Sequence, residues 1–118
     1  MKSAKLNNLL NIKYPIIQAP MFLVSNTKMV IEAMKGGIAG CIPALNYRTH
    51  DELRQAIKEL KKAKVEGGSF GFNLIVNKSN IKYKGQLEIL CEEGVDFIIT
   101  SLGSPEETIK QAHKYNIK

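Results

Sequence analysis

Apolar residues along this chain gather into four short runs, at residues 16–19, 38–42, 70–76 and 97–100, and each run leads into a stretch with helical spacing. After the first, a helix is expected to begin near Asn26, with Val30, Ala33 and Met34 as its apolar stripe and Gly36-Gly37 as its stop. After the second, Leu53, Ala56, Ile57 and Leu60 stand at i, i+3, i+4 and i+7 on an otherwise charged segment. Thr49, with Glu52 three residues on, marks the start of that helix as a capping box. The third helix carries Leu87, Leu90 and Cys91, behind the long polar connection "NKSNIKYKG". The fourth opens at Ser104-Pro105-Glu106-Glu107, which puts a proline at the first helical position.

Near-continuous Ile, Val and Phe in the runs, alternating with amphipathic helices, predict an α/β fold with a parallel sheet covered by helices. Four βα units account for residues 1–118 as a single domain, and a fifth strand is expected to begin at Ile117-Lys118. A chain of 118 residues supports one core of ordinary size.

Composition narrows the class further. Hydrophobic residues make up 44% and charged residues 24%, the balance of a globular protein. The longest apolar run is broken by Gln18 and Pro20 and is too short to span a bilayer. The opening "MKSAKLNNLLNIKYP" mixes Leu with Asn and Lys, unlike a secretory signal. Two cysteines, Cys41 and Cys91, fit buried free thiols better than a disulfide framework. These features place the chain in the cytoplasm. The net charge of +6 does not make a nucleic-acid reader, because Lys58, Lys61, Lys62 and Lys64 are expected on a solvated helix face with no aromatic stacking pattern.

In parallel α/β folds, ligands sit at the C-terminal ends of the strands. The first strand ends Ala19-Pro20-Met21. Proline suits a strand's last residue because it cannot donate to the ladder, and the backbone amides that follow are expected to be free to face a ligand. A hydrophobic plug at a strand end is the alternative. In "FGFNLIV", Phe70, Phe72 and Leu74 point to one face, under the helices, and Gly71, Asn73 and Ile75 to the other. Glycine there leaves a gap beside the Asn73 amide. An amide buried without partners costs roughly 2–7 kcal/mol, so it needs a donor and acceptor pair. Either a planar heterocycle or neighbouring backbone supplies it. Thr100 and Ser101, ending the fourth strand, serve as ligand contacts or as turn and cap residues. "GGIAG" lacks the spacing and the lysine of a phosphate loop. His50 and His113 have no carboxylate or cysteine spaced to orient them, and neither metal-ligand spacing nor a nucleophile elbow is present.

"YPIIQAPM", "GGIAGCIPA", "FGFNLIV" and "DFIITSLGSP" stand in the order and spacing of a known family. Through them nearly the whole chain resembles the FMN-dependent nitronate monooxygenases, formerly 2-nitropropane dioxygenases. The first and third motifs carry most of the specificity. The resemblance implies the N-terminal half of a TIM barrel with FMN at its C-terminal face. It places Ala19, Pro20 and Met21 against the isoalloxazine ring through backbone groups, Asn73 in a hydrogen bond to the flavin, and Ser101 at the edge of the flavin or substrate pocket. In such enzymes the flavin takes electrons from an alkyl nitronate and then passes them to molecular oxygen.

A full barrel needs about 250 residues and eight βα units. The resemblance puts the catalytic histidine and the glycine-rich phosphate loops in the second half of such a barrel, so no catalytic residue is assigned within residues 1–118. This chain is therefore expected to act as an inactive half with weak FMN affinity. Two open sheet edges and an uncovered inner face lead us to expect self-association or pairing with a C-terminal half. Flavin-dependent enoyl-acyl-carrier-protein reductases share the signature and stand as the alternative enzyme. Outside that class stand a flavodoxin-like binding domain and a non-catalytic assembly protein.

Overall fold

The computed structural model describes residues 5–118. Four strands, β1 (Ile17–Gln18), β2 (Ala39–Pro43), β3 (Ser69–Ile75) and β4 (Phe97–Ser101), form one parallel sheet in the order β1-β2-β3-β4. Between and around them lie α1 (Lys5–Leu10), α2 (Thr27–Lys35), α3 (His50–Ala63), α4 (Tyr83–Glu93) and α5 (Glu106–Lys114). Sequential order with right-handed crossovers stacks the connecting helices on one side of the sheet. A flavodoxin-like sheet instead runs 2-1-3-4-5, so that alternative falls on strand order alone.

The expected stripes form the outer layer. Val30, Met34, Leu53, Ile57, Leu60, Leu87 and Leu90 pack with Phe70, Phe72 and Leu74 in one buried cluster. Asn26 caps α2 by accepting from the Met29 N–H (2.9 Å), and Thr49 caps α3 by accepting from Glu52 N–H (3.1 Å). The Glu52 carboxylate returns to the Arg48 N–H, one residue before the cap, at 3.0 Å. Pro105 stands at the cap position of α5, so the first helical residue is Glu106 and not the proline. Lys58, Lys61, Lys62 and Lys64 are exposed, although the Lys61 ammonium also donates to Glu93 O at 2.7 Å.

The polar connection before α4 is more ordered than its composition suggests. Asn80 donates to Ile75 O (2.8 Å) and to Gln86 Oε1 (3.0 Å), and accepts from Lys82 N–H (3.2 Å). One side chain thus ties the end of β3 to the start of a helix that lacks a side-chain cap.

The inner face departs from expectation. It is covered in part: Leu6 and Leu10 of α1, with Ile12, pack onto Ala39, Cys41 and Phe97 in a second cluster, while Asn73, Ile75 and Ile99 nearer the strand ends stay half-exposed. Nor does Gly71 leave a gap. A Cβ at that position would meet Phe97 ring carbons at 2.5 Å, so the phenylalanine fills the space that glycine vacates. Among the described residues both edges of the sheet are otherwise open, except that Lys118 already lies along β4. Its N–H donates to Asp96 O (3.2 Å) and its carbonyl accepts from Ile98 N–H (2.8 Å), the pattern of a parallel strand beginning where the sequence predicts one.

Candidate functional site

The first strand ends in a turn built to replace one missing donor. Ala39 N–H donates to Ile16 O at 3.1 Å. Continuing that ladder, the N–H of residue 20 would reach Cys41 O, but residue 20 is proline. The Gln18 side chain takes over: its Nε2 donates to Cys41 O at 3.2 Å and to Ser25 Oγ at 3.1 Å, and also approaches Ala19 O. Carbonyls can only accept, so the atom facing them must be Nε2. Gln18 Oε1 is consequently buried with no protein donor.

Ser25, only 1% exposed, organises the turn. Its Oγ accepts from Met21 N–H (2.8 Å) and donates to Ala19 O (2.9 Å), while Asn46 Nδ2 donates to Ser25 O at 2.8 Å. Leu23 N–H donates to Asn46 Oδ1 at 2.9 Å, and the N–H groups of Val24 and Ser25 turn back to Met21 O. Among the amides just after Pro20, those of Met21, Leu23, Val24 and Ser25 are therefore committed inside the protein, contrary to the expectation that they face a ligand. Phe22 N–H is left. What the tip presents is apolar: Met21, Phe22, Leu23 and Val24 are all exposed. Leu23, and Leu102 in the loop after β4, hold left-handed backbone (φ 59° and 62°), a conformation that costs a leucine about 1–2 kcal/mol.

On β3, the face of Asn73 is the one opposite the helices. Its Nδ2 donates to Ile99 O at 3.0 Å and to Ser101 Oγ at 3.1 Å. Both amide hydrogens are used, so the predicted alternative of bonding to neighbouring backbone describes half of this side chain. The other half is open. Asn73 Oδ1 accepts no hydrogen bond from the described residues and is not among the buried polar atoms without a partner.

The strand register sets these groups side by side. Pro43, Asn73 and Ile99 are paired across β2, β3 and β4, and Ile75 pairs with Ser101 one step nearer the strand ends. Asn73 and Ser101 are thus brought into contact. Ala19, Pro20 and Met21 share their end of the sheet but lie on the far side of β2, about 10 Å from Asn73 at two strand spacings and one strand further from Ser101. No hydrogen bond joins them to Asn73 or Ser101 among the described residues.

Groups elsewhere add little chemistry. Cys41 lies fully buried on the inner face, and burial pushes its thiol up to about 12, far from a reactive thiolate. His50 opens α3 with its ring against Gly85 of α4, and His113 is exposed near the end of α5. A groove of about 700 Å³ beside α3, lined by Tyr47, Asp51, Gln55, Lys58 and Glu59, lies on the helical side and not at the strand ends. Burial and the nearby Glu59 carboxylate raise the Tyr47 hydroxyl to about 12. Among the described residues, no group of three His, Cys, Asp or Glu is placed to hold a metal ion, and no helix is long and apolar enough to cross a membrane.

Sequence reasoning missed Gln18, Ser25 and Asn46. The Gln18 role was recoverable, since a proline at a strand end leaves one carbonyl without its donor. Ser25 was masked by Asn26, because a serine and an asparagine before a helix both look like caps.

Strands in sequential parallel order, helices on one side and polar groups at the strand ends define a wall of a (βα) barrel. Comparison with solved structures agrees. FabK from Thermotoga maritima superimposes with a TM-score of 0.87 at 23% identity, covering 100% of this chain and 36% of that one. Nitroalkane oxidase from Streptomyces ansochromogenes gives 0.79 at 20% identity, covering 97% of this chain and 41% of that one. The enoyl reductase domain of MlnA from Bacillus amyloliquefaciens gives 0.72 at 22% identity, covering 84% and 23%. The chain thus spans well under half the length of these structures, and at such identities the likeness speaks to fold. No curated protein matches the chain. The sequence model of the nitronate monooxygenase family matches residues 3–82, and the chain belongs to that family.

Proposed function

We propose that this chain carries the ring side of an FMN site in a flavin-dependent oxidoreductase that oxidises alkyl nitronates with molecular oxygen. The observation that carries the reading is Asn73: a locked side-chain amide at the sheet's C-terminal end, with one oxygen left open. Its fit to a flavin ring is favourable. A flat heterocycle with an N–H group satisfies that oxygen, and the apolar tip at Ala19, Pro20 and Met21 offers a wall for a ring face. Ser101 borders the same end of the sheet. FMN, when bound, supplies the two-electron redox chemistry, and these side chains hold and orient it.

Family membership supports the nitronate reading. Likeness to an enoyl reductase domain supports a second one, a flavin-dependent enoyl-acyl-carrier-protein reductase. Reduction of the bound flavin by NADH or NADPH separates them and favours the second. No histidine lies at the strand ends among the described residues, so the 118-residue chain alone is expected to lack turnover. With the phosphate loops of the family placed in the other half of the barrel, it is also expected to hold FMN weakly. Flavin absorbance after gel filtration and nitronate-dependent oxygen uptake test this; robust oxygen uptake by the chain alone overturns it. The open edges of β1 and β4 further suggest self-association or pairing with a complementary half, which a clean monomer in light scattering would refute. A cytoplasmic setting accords with the two free, buried thiols.

A further inference from the structure

We infer that Ser101 is a positioning residue that acts through Asn73, and that the pair selects a ring N–H: the site asks its ligand for a donor and not for an acceptor. The inference rests on the flavin reading above and makes it more specific.

An asparagine amide has two donors and one acceptor oxygen. Ile99 O can only accept, which settles that the atom facing it at 3.0 Å is Nδ2 and excludes the flipped amide. The second hydrogen of Nδ2 goes to Ser101 Oγ at 3.1 Å. With both hydrogens committed, rotation of the amide about its last torsion breaks two bonds at once, so Oδ1 is fixed in direction. Ser101 is itself held: its carbonyl accepts from Val76 N–H at 3.0 Å, and its strand pairs with β3 through Ile75. Among the described residues no donor reaches Oδ1. A ligand acceptor placed there is repelled, whereas a ligand N–H is bound.

The oxidised isoalloxazine ring has a single N–H, the imide between its two ring carbonyls. That imide is the group the open Oδ1 matches. Ser101 need not touch the ring to matter. The Ile99 carbonyl disfavours the flipped amide, and the Ser101 hydroxyl adds a second anchor that holds the amide plane against it, so that Oδ1 keeps its aim and does not swing away from the imide.

The test uses the 118-residue chain and two probes without a phosphate, lumiflavin and its N3-methyl derivative, in which methylation removes the only ring N–H. Protein is titrated into a trace of each probe and quenching of flavin fluorescence is followed. The expected result is about tenfold tighter binding of lumiflavin than of the methylated probe. Ser101→Ala should shrink that ratio to threefold or less, and Ser101→Thr, which keeps a hydroxyl, should restore it. A purely structural role for Ser101 would weaken both probes equally and leave the ratio intact, and that outcome overturns the inference. Equal binding of the two probes by the unmodified chain also overturns it, while leaving flavin binding standing. Absence of any quenching of both probes at about millimolar protein overturns the flavin reading itself.

Discussion

Replacing Ser25 with alanine tests whether the tip after β1 is a built platform or an incidental turn. Ser25 Oγ accepts from Met21 N–H at 2.8 Å and from Gln18 Nε2 at 3.1 Å, and donates to Ala19 O at 2.9 Å. The substitution deletes all three bonds without leaving a large void. Ala19 O keeps Gln18 Nε2 as a donor, and Gln18 Nε2 keeps Cys41 O. Met21 N–H keeps nothing. Three net bonds at about 1 kcal/mol each set an upper figure, and retention by Gln18 lowers it, so the expected loss is about 2–3 kcal/mol. For 118 residues, an unfolding entropy of about 2.1 cal/mol/K per residue converts each kcal/mol into about 4 °C of melting temperature. Ser25→Ala should therefore melt about 8–12 °C lower.

The control is the adjacent residue. Asn26 accepts from Met29 N–H at 2.9 Å and serves only as a helix cap, so Asn26→Ala should cost about 1 kcal/mol, or about 4 °C. Circular dichroism melts of both variants give the comparison. Hydrogen exchange adds a local readout, with the Met21 amide protected in the parent and exchanging freely in Ser25→Ala. Equal melting losses for the two variants, or a Met21 amide already unprotected in the parent, would show that Ser25 is a second cap and nothing more.

Other outcomes are set by single contacts. Gly71→Ala places a methyl 2.5 Å from Phe97 ring carbons and carbonyl oxygen and should cost about 2–3 kcal/mol in urea unfolding, partly recovered by Phe97→Leu; parent-like stability of Gly71→Ala would refute the packing argument. Asn80→Ala removes the bonds to Ile75 O and Gln86 Oε1 and the acceptor of Lys82 N–H, leaves the buried Gln86 oxygen without that donor, and should cost about 2 kcal/mol; a loss under about 0.5 kcal/mol would contradict it. Burial raises the Cys41 thiol from 9.0 to about 12, so the folded state holds its proton where the unfolded chain releases it. That stability is complete below about pH 9 and falls as pH rises toward 12, by about 1.4 kcal/mol per pH unit. Tyr47 adds to the fall above its ordinary 10.0, so Cys41→Ala should flatten the stability profile chiefly between pH 9 and 10; an unchanged slope there would refute the assignment.

Much of the fold was legible because the outer layer obeys local rules. Leu53, Ala56, Ile57 and Leu60 are buried as their spacing requires, and Thr49 caps where a threonine followed by a glutamate three residues on should. α1 was not legible. Its helix is six residues long and buries only Leu10, too little for a period to show, and its purpose depends on the inner face that it covers. β1 is two residues long because Pro20 ends its ladder, so its identity as a strand comes from β2 more than from its own sequence. At the site, the sequence separated the two faces of β3 and flagged Asn73, since alternation and the cost of a buried amide are local facts. It could not show that Ile99 O and Ser101 Oγ, 26 and 28 residues away, would take both amide hydrogens. Nor could it show that Ser25 and Asn46 would absorb the tip's N–H groups, which changes what Ala19, Pro20 and Met21 offer from hydrogen bonds to apolar contact.

That change bears on how tightly the ring side can hold its ligand. One hydrogen bond to Asn73 Oδ1 contributes about 0.5–1.5 kcal/mol net. Apolar contact with the tip adds more, yet association first costs about 4 kcal/mol or more in lost freedom. A micromolar complex requires about 8 kcal/mol beyond that cost. A site with one oriented acceptor and one exposed apolar wall falls short of this, since no described residue closes over that end of the sheet from the opposite side. The ring side therefore decides orientation, and affinity must come from contacts to other parts of the ligand. Lumiflavin, which is all ring, should therefore bind this chain no more tightly than about 100 μM, a gap of about 2.7 kcal/mol from micromolar. A dissociation constant near 1 μM in the same titration would mean that the tip and Asn73 enclose the ring far more completely than two strand ends about 10 Å apart allow.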